Sequence, residues 1–219
     1  MAIRSIPLTQ ESYWDKSHNI CCILDAHYTD TTPFKAMAKF LRESKINKAL
    51  TDRTVVYESH VRMFWRSIEV KFNVGDLRRV LELGDSDNDT TIIPERLCKG
   101  LWYKMGFGGH VNGKYLKSLF SPSYKFLIHC VVHALSHRKG AYDETSDYIM
   151  NIITCLVLNW PYNVSQVLFD HLVDNISGEK YIMYPRFIQM IIDHQVNDLP
   201  KDPASVLCDN TYFKPFVVL

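Results

Sequence analysis

The sequence predicts a mostly α, multi-helix, bundle-like domain with an irregular amino-terminal arm (residues 1–32) and a loose carboxy-terminal tail (residues 201–219). Three observations predict it. Apolar residues recur at three- and four-residue spacing through most of the chain, as they do on a helix that buries one face. Helix-opening pairs, Thr32-Pro33 and Ser121-Pro122, stand directly before such runs. Hydrophobic residues make up 47% of the 219, with 11 Phe and 12 Tyr among them, enough to fill a core and to exclude wholesale disorder.

Residues 1–32 carry no period and read as an irregular or strapped-down arm. Thr32 as N-cap and Pro33 as first helical residue then open a helix in which Phe34, Met37, Ala38 and Leu41 share a face. A second helix runs from Val55 to Ile68, with Val61, Phe64, Trp65 and Ile68 on one side. Asn73-Val-Gly75 breaks the pattern, and Leu77, Val80 and Leu81 begin a short third helix that stops at Gly84. Asp85 to Thr90 is a loop, and Pro94 starts a helix through Leu97, Leu101 and Trp102. These elements form an amino-terminal lobe, residues 33–105. The glycine-dense residues 106–114 read as a hinge.

A second helical lobe spans residues 115–200. Ser121-Pro122 opens a helix with the stripe Phe126, Leu127, Cys130, Val131, Ala134 and Leu135, closed by Gly140. Asp143 opens the next helix, which is apolar nearly all round from Tyr148 to Leu158 and therefore central and buried. Asn159-Trp-Pro161 ends it. Asn163 is an N-cap with Gln166 three residues later, and Tyr162 and Val167 sit where a hydrophobic staple would. That helix ends near Gly178. Pro185 begins the last one, carried by Phe187, Ile188, Ile191 and Ile192. Beyond Pro200 the chain is polar and broken by proline.

Several patterns resemble chemistry and each has a plainer reading. His129, His133 and His137 recur every four residues and form one helical ridge. Imidazoles at that spacing can share a zinc ion. Three in a row climb about 12 Å at 1.5 Å per residue, so one tetrahedral ion takes two of them and a ligand from elsewhere. Against this, the ridge borders the apolar stripe, where half-buried histidines are ordinary. Asp85-x-Asp87-x-Asp89 opens like a calcium loop but has Thr90 in place of the turn glycine and Arg96 in place of the closing glutamate. Gly108 to Lys114 nearly spells a phosphate loop, yet Tyr115 replaces the magnesium-binding hydroxyl. The basic residues Arg66, Arg78, Arg79, Lys114, Lys117 and Lys125, with Phe64 and Trp65 beside the first, are the candidates for nucleic-acid contact.

Charge argues against a dedicated nucleic-acid module. The chain has 25 Lys+Arg against 24 Asp+Glu and a pI near 7.7, where such modules usually exceed about 9. Met1-Ala-Ile-Arg-Ser-Ile-Pro-Leu lacks the apolar region of a signal peptide. The longest apolar run, Ile149 to Trp160, is too short for a bilayer. The sequence therefore predicts no membrane segment and a cytoplasmic or nuclear, intracellular chain whose six cysteines stay reduced. No Cys-x-x-Cys, Gly-x-Ser-x-Gly or His-Glu-x-x-His motif occurs, so no catalytic residue, cofactor or small-molecule substrate is assigned.

Five segments carry a family resemblance in order. They are Lys48-Ala-Leu50 through Val56-Tyr57 to Phe64-Trp65, then Asp76 to Leu83 with its arginine pair, then Ser121 to His129, then Tyr162 to Asp170, then Lys180 to Gln189. Together, from about Phe40 to Pro200, they resemble the gag-like domain of plant LTR-retrotransposon polyproteins. The stretch between Trp65 and Asp76 is shorter than in relatives, and His133 stands where relatives can have other residues. The resemblance implies a non-catalytic helical domain working by protein–protein contact or self-association. The alternatives are a nucleic-acid-binding module of a retroelement and a His-dependent metalloenzyme.

Overall fold

The computed structural model describes residues 19–30, 32–66, 72–109, 115–136, 143–178, 183–208 and 212–213. It is mostly α. Chain order is β1 (Cys21–Cys22), α1 (Ala26–Thr29), α2 (Lys35–Arg42), α3 (Asn47–Thr51), β2 (Val56–Tyr57), α4 (Glu58–Arg66), α5 (Val74–Leu81), α6 (Glu95–Lys104), α7 (Pro122–Leu135), α8 (Asp147–Leu158), α9 (Val164–Gly178), α10 (Pro185–Gln195), β3 (Val206–Cys208) and β4 (Tyr212–Phe213).

Local chemistry explains the boundaries, including those that depart from expectation. Helix α2 starts at Lys35, because Thr32 and Pro33 form a turn in which the Thr32 hydroxyl accepts the Phe34 N–H. Helix α3 carries too short an apolar pattern to be read from sequence, yet it buries Ala49 and Leu50. Val56 and Tyr57 are extended and pair antiparallel with β3, so α4 begins only at Glu58; residues 67–71 lie outside the described residues. Asn73 does not merely break a pattern. It caps α5 in a reciprocal capping box with Asp76. Glu82, with φ 49, closes that helix.

Helix α8 begins at Asp147 and not at Asp143, whose carbonyl instead accepts the Lys117 N–H. Residues 115–117 and 143–145 are thereby laced together, with Thr145 donating to the Tyr115 carbonyl. Asn163 caps α9 as expected, its Oδ1 accepting the Gln166 N–H at 2.9 Å, while the Gln166 side chain turns to Asp170. Gly140 lies outside the described residues; α7 ends at Leu135.

Helix α7 sits at the centre. Every residue from Phe126 to Val132 is buried, and the helix packs against α8, α2 and α3. Phe126 stacks on Phe34 with ring centroids 5.0 Å apart, and a side chain of this size contributes about 1.5–3 kcal/mol by leaving water. Helix α10 packs on α5 and α4, and α5 on α9. Residues from before and after the glycine-rich segment join one buried cluster running from Cys22 to Ile192. Gly106, at φ 81, adopts the left-handed backbone that ends α6.

The first described residues and the described part of the tail pack back onto this core. Asn19 Nδ2 donates to the Ala134 carbonyl and Ile20 N–H to that of His133, satisfying the last turn of α7. The described part of the tail is paired as well: β3 on β2, and β4 parallel to β1.

Candidate functional site

Three chain segments meet around a surface cleft of about 280 Å³. The end of α2 and its following turn supply Phe40, Glu43, Lys45 and Ile46. The segment after α5 supplies Leu83, Gly84 and Asp85. The end of α8 and the turn into α9 supply Ile152, Cys155, Leu156, Trp160 and Tyr162. Asn159, in the left-handed conformation at φ 49, ends α8 and turns the chain outward. Trp160, in the cleft lining, is left 42% exposed, and Leu158 at the end of α8 is 39% exposed.

The floor is apolar and its titratable groups are neutral. Burial pushes the Cys155 thiol up to about 12, with Cys98 raising it further and the Lys45 ammonium drawing it down. Burial likewise holds the Tyr162 phenol well above its usual range. Neither group is a nucleophile or base at neutral pH. The cleft offers apolar surface and protonated donors, and its charged lining groups are Glu43, paired with Lys39, Asp85, paired with Arg78, and Lys45, which is exposed and forms no ion pair among the described residues.

The histidine ridge is built into the packing. His129 is buried, and its Nδ1 accepts from the Lys117 ammonium at 2.9 Å. Burial lowers the Lys117 pKa, partly offset by Asp143. Burial also holds His129 down at about 3, helped by His133, Lys117 and Lys125. The His133 ring lies edge-on to His129, centroids 4.3 Å apart. His137 lies outside the described residues. Among the described residues no group of three or more His, Cys, Asp or Glu converges on a point.

The acidic loop is held by the first member of the arginine pair. Arg78 Nε donates to Asp85 at 2.6 Å and Nη2 to Asp87 at 2.7 Å. Asp85 also accepts both the backbone N–H and the hydroxyl of Ser165 at 2.7 Å. Asp89 accepts from Ser86 in a local turn. Arg79 pairs with Asp76 at 3.2 Å and is exposed. Lys125 stands half-buried in the first turn of α7. Arg66 ends α4, and Lys114 lies outside the described residues. The near phosphate loop is described only to Gly109, and Gly108 N–H donates to the Leu119 carbonyl.

Sequence reasoning missed Arg186. The residue is 2% exposed, and its guanidinium donates to the carbonyls of Asn19, Asp52 and Ala49. Asn19 Oδ1 in turn accepts the N–H groups of Arg186 and Phe187, satisfying the start of α10. Gln189, one turn on, donates to His60 Nδ1 at 2.9 Å and to Asp193 at 3.0 Å, and His60 Nε2 donates to the Pro200 carbonyl. The usable signal was a pair of polar residues three apart inside an otherwise apolar helix face.

Compared with protein-family models, with curated proteins and with solved structures, the chain matches none. Among the described residues no helix is long and apolar enough to cross a membrane.

Proposed function

We propose that the chain is a non-catalytic, gag-like helical domain of retroelement descent that acts by protein–protein contact, associating with copies of itself. The observation that carries this reading is the largely apolar cleft whose lining leaves Trp160 42% exposed to solvent. Aromatic and aliphatic side chains around a concave surface are what protein contacts cover. The ordered resemblance from Phe40 to Pro200 supports the same reading. So does the use of the buried ionisable groups as ties between helices: Lys117 with His129, Arg78 with Asp85, Arg186 with three carbonyls. On this reading the domain works inside the cell, in cytoplasm or nucleus.

Size-exclusion chromatography with light scattering over a concentration series tests it. The expected result is a mass that rises with concentration above the 25.5 kDa of one chain. A strict monomer at the highest concentration removes self-association. Stoichiometric zinc in the purified protein would instead favour a metalloenzyme.

A further inference from the structure

The described part of the tail is tied to the body by short strands and exposed bonds. The buried core ends at Ile192, and none of residues 193–206 is buried. Strand β3 pairs with β2, Val56 opposite Cys208 and Tyr57 opposite Val206. Strand β4 lies on β1 over two residues. Beside β3, the Ser205 and Ser59 hydroxyls bond at 3.0 Å in solvent. Lifting the tail frees backbone groups along two strand edges, while the helices keep their packing on one another.

The turn that folds the tail back is local. His60 Nε2 donates to the Pro200 carbonyl and fixes the chain up to that point. From there Asp202 reverses it: its side chain accepts the Ala204 N–H, and its carbonyl accepts both the N–H and the hydroxyl of Ser205. Lys201 to Ala204 are exposed, so water can take over these bonds when the turn opens. Pro203 already keeps Asp202 extended, at ψ 113. A short, proline-bearing reversal of this kind is costly to close within one chain and runs straight between two. The occupant of β2 is then fixed by the closed chain itself. The register that seats β3 on its own β2 seats it equally on the β2 of another copy.

We infer that two copies exchange tails about a hinge at residues 201–205, β3 of each pairing with β2 of the other and β4 with the other's β1. This rests on the self-association reading above and adds a contact that the cleft does not supply. Each copy gives one tail and takes one. The exchange is complete at two chains, with every strand edge that the closed chain pairs still paired.

The test places a cross-link where the two hydroxyls meet. The full chain carrying Ser59→Cys and Ser205→Cys is separated under reductant into monomer and dimer fractions. Each fraction is then oxidised with glutathione disulfide and weighed in denaturant. The monomer is expected to close the link within one chain and keep its mass near 25.5 kDa, which shows that the link forms. The dimer is expected to hold twice that mass, with position 59 of one chain joined to position 205 of the other. The parent chain, treated alike, is expected to fall to the mass of one chain. A dimer fraction of the double variant that falls to single chains, each internally linked, overturns the tail exchange and leaves self-association standing. As a second measure, Gly-Ser-Gly-Ser inserted after Lys201 slackens the reversal and is expected to move dimerisation at least about tenfold to higher concentration. An unchanged concentration also overturns the exchange. A parent without any dimer fraction overturns the reading beneath it.

Discussion

Arg78 and Asp85 form the tie between α5 and α9: Nε donates to Oδ1 at 2.6 Å, with Arg78 19% and Asp85 3% exposed. Arg78 lies in the last turn of α5, where a cation is favoured, and Asp85 lies at the start of α9, where an anion is favoured. Asp85→Ala leaves the guanidinium with only the exposed Asp87 and strips the Ser165 N–H and hydroxyl of their acceptor. The expected cost is about 3–5 kcal/mol, read as a drop in urea midpoint with unchanged slope. Asp87→Ala is expected to cost less than about 1 kcal/mol. Equal effects for the two carboxylates would contradict this division of labour.

Arg186 is a second internal tie, with carbonyls in place of a carboxylate. Burial lowers its pKa, but it keeps its proton, offset by Cys21, Cys22 and Asp52. The guanidinium reaches the Ala49 and Asp52 carbonyls at the end of α3 and that of Asn19, which itself caps α10. Arg186→Met strands these acceptors and is expected to destabilise by about 3 kcal/mol or more. Arg186→Lys recovers little of it, because an ammonium on a flexible stem cannot span three separated carbonyls. Near-parental stability of the lysine variant in urea would show that charge alone suffices.

How far sequence reached follows from the range of the interactions. Helices α6, α7, α9 and α10 were legible because an apolar stripe and a start signal lie within one segment, a proline (Pro94, Pro122, Pro185) for three of them and the Asn163 cap with Gln166 for α9. The capping box of Asn73 and Asp76 is equally local, but Gly75 between them drew the reading towards a break. The central helix is α7 more than α8, since the last turn of α8 emerges into solvent, with Leu156 and Val157 half-buried and Leu158 39% exposed. The cleft was illegible because Phe40–Ile46, Leu83–Asp85 and Ile152–Val164 meet only in three dimensions. Arg78 read as a phosphate contact because nothing in composition reveals that Asp85, seven residues on, faces it.

The buried His129 sets a pH window. Its folded pKa is about 3 against 6.5 when unfolded, with burial the main cause and His133, Lys117 and Lys125 adding. The unfolded chain therefore binds the extra proton between these values, and stability is complete above pH 6.5 and lost as pH falls towards 3. Burial lowers His171 in the same direction, against Asp174 and Asp170. Urea midpoints at pH 7, 5.5 and 4.5 are expected to fall more steeply for the parent than for His129→Gln, which cannot titrate there. The comparison cancels the carboxylates common to both. Parallel slopes would mean that His129 gains its proton in the fold without strain.

Cys155 tests the cleft floor directly. A thiol held near 12 is almost wholly protonated at pH 8, whereas an unfolded cysteine near 9 is appreciably ionised, and the thiolate is the reacting species. Iodoacetamide followed by peptide mapping is therefore expected to label Cys155 at least about a hundredfold more slowly in the folded chain than in urea. Its 6% exposure slows attack further. Lys45→Glu replaces the one nearby charge that favours the thiolate with one that opposes it, so labelling is expected to slow again. Faster labelling in that variant would show that Lys45 shields the cleft sterically and does not act on the floor by its charge.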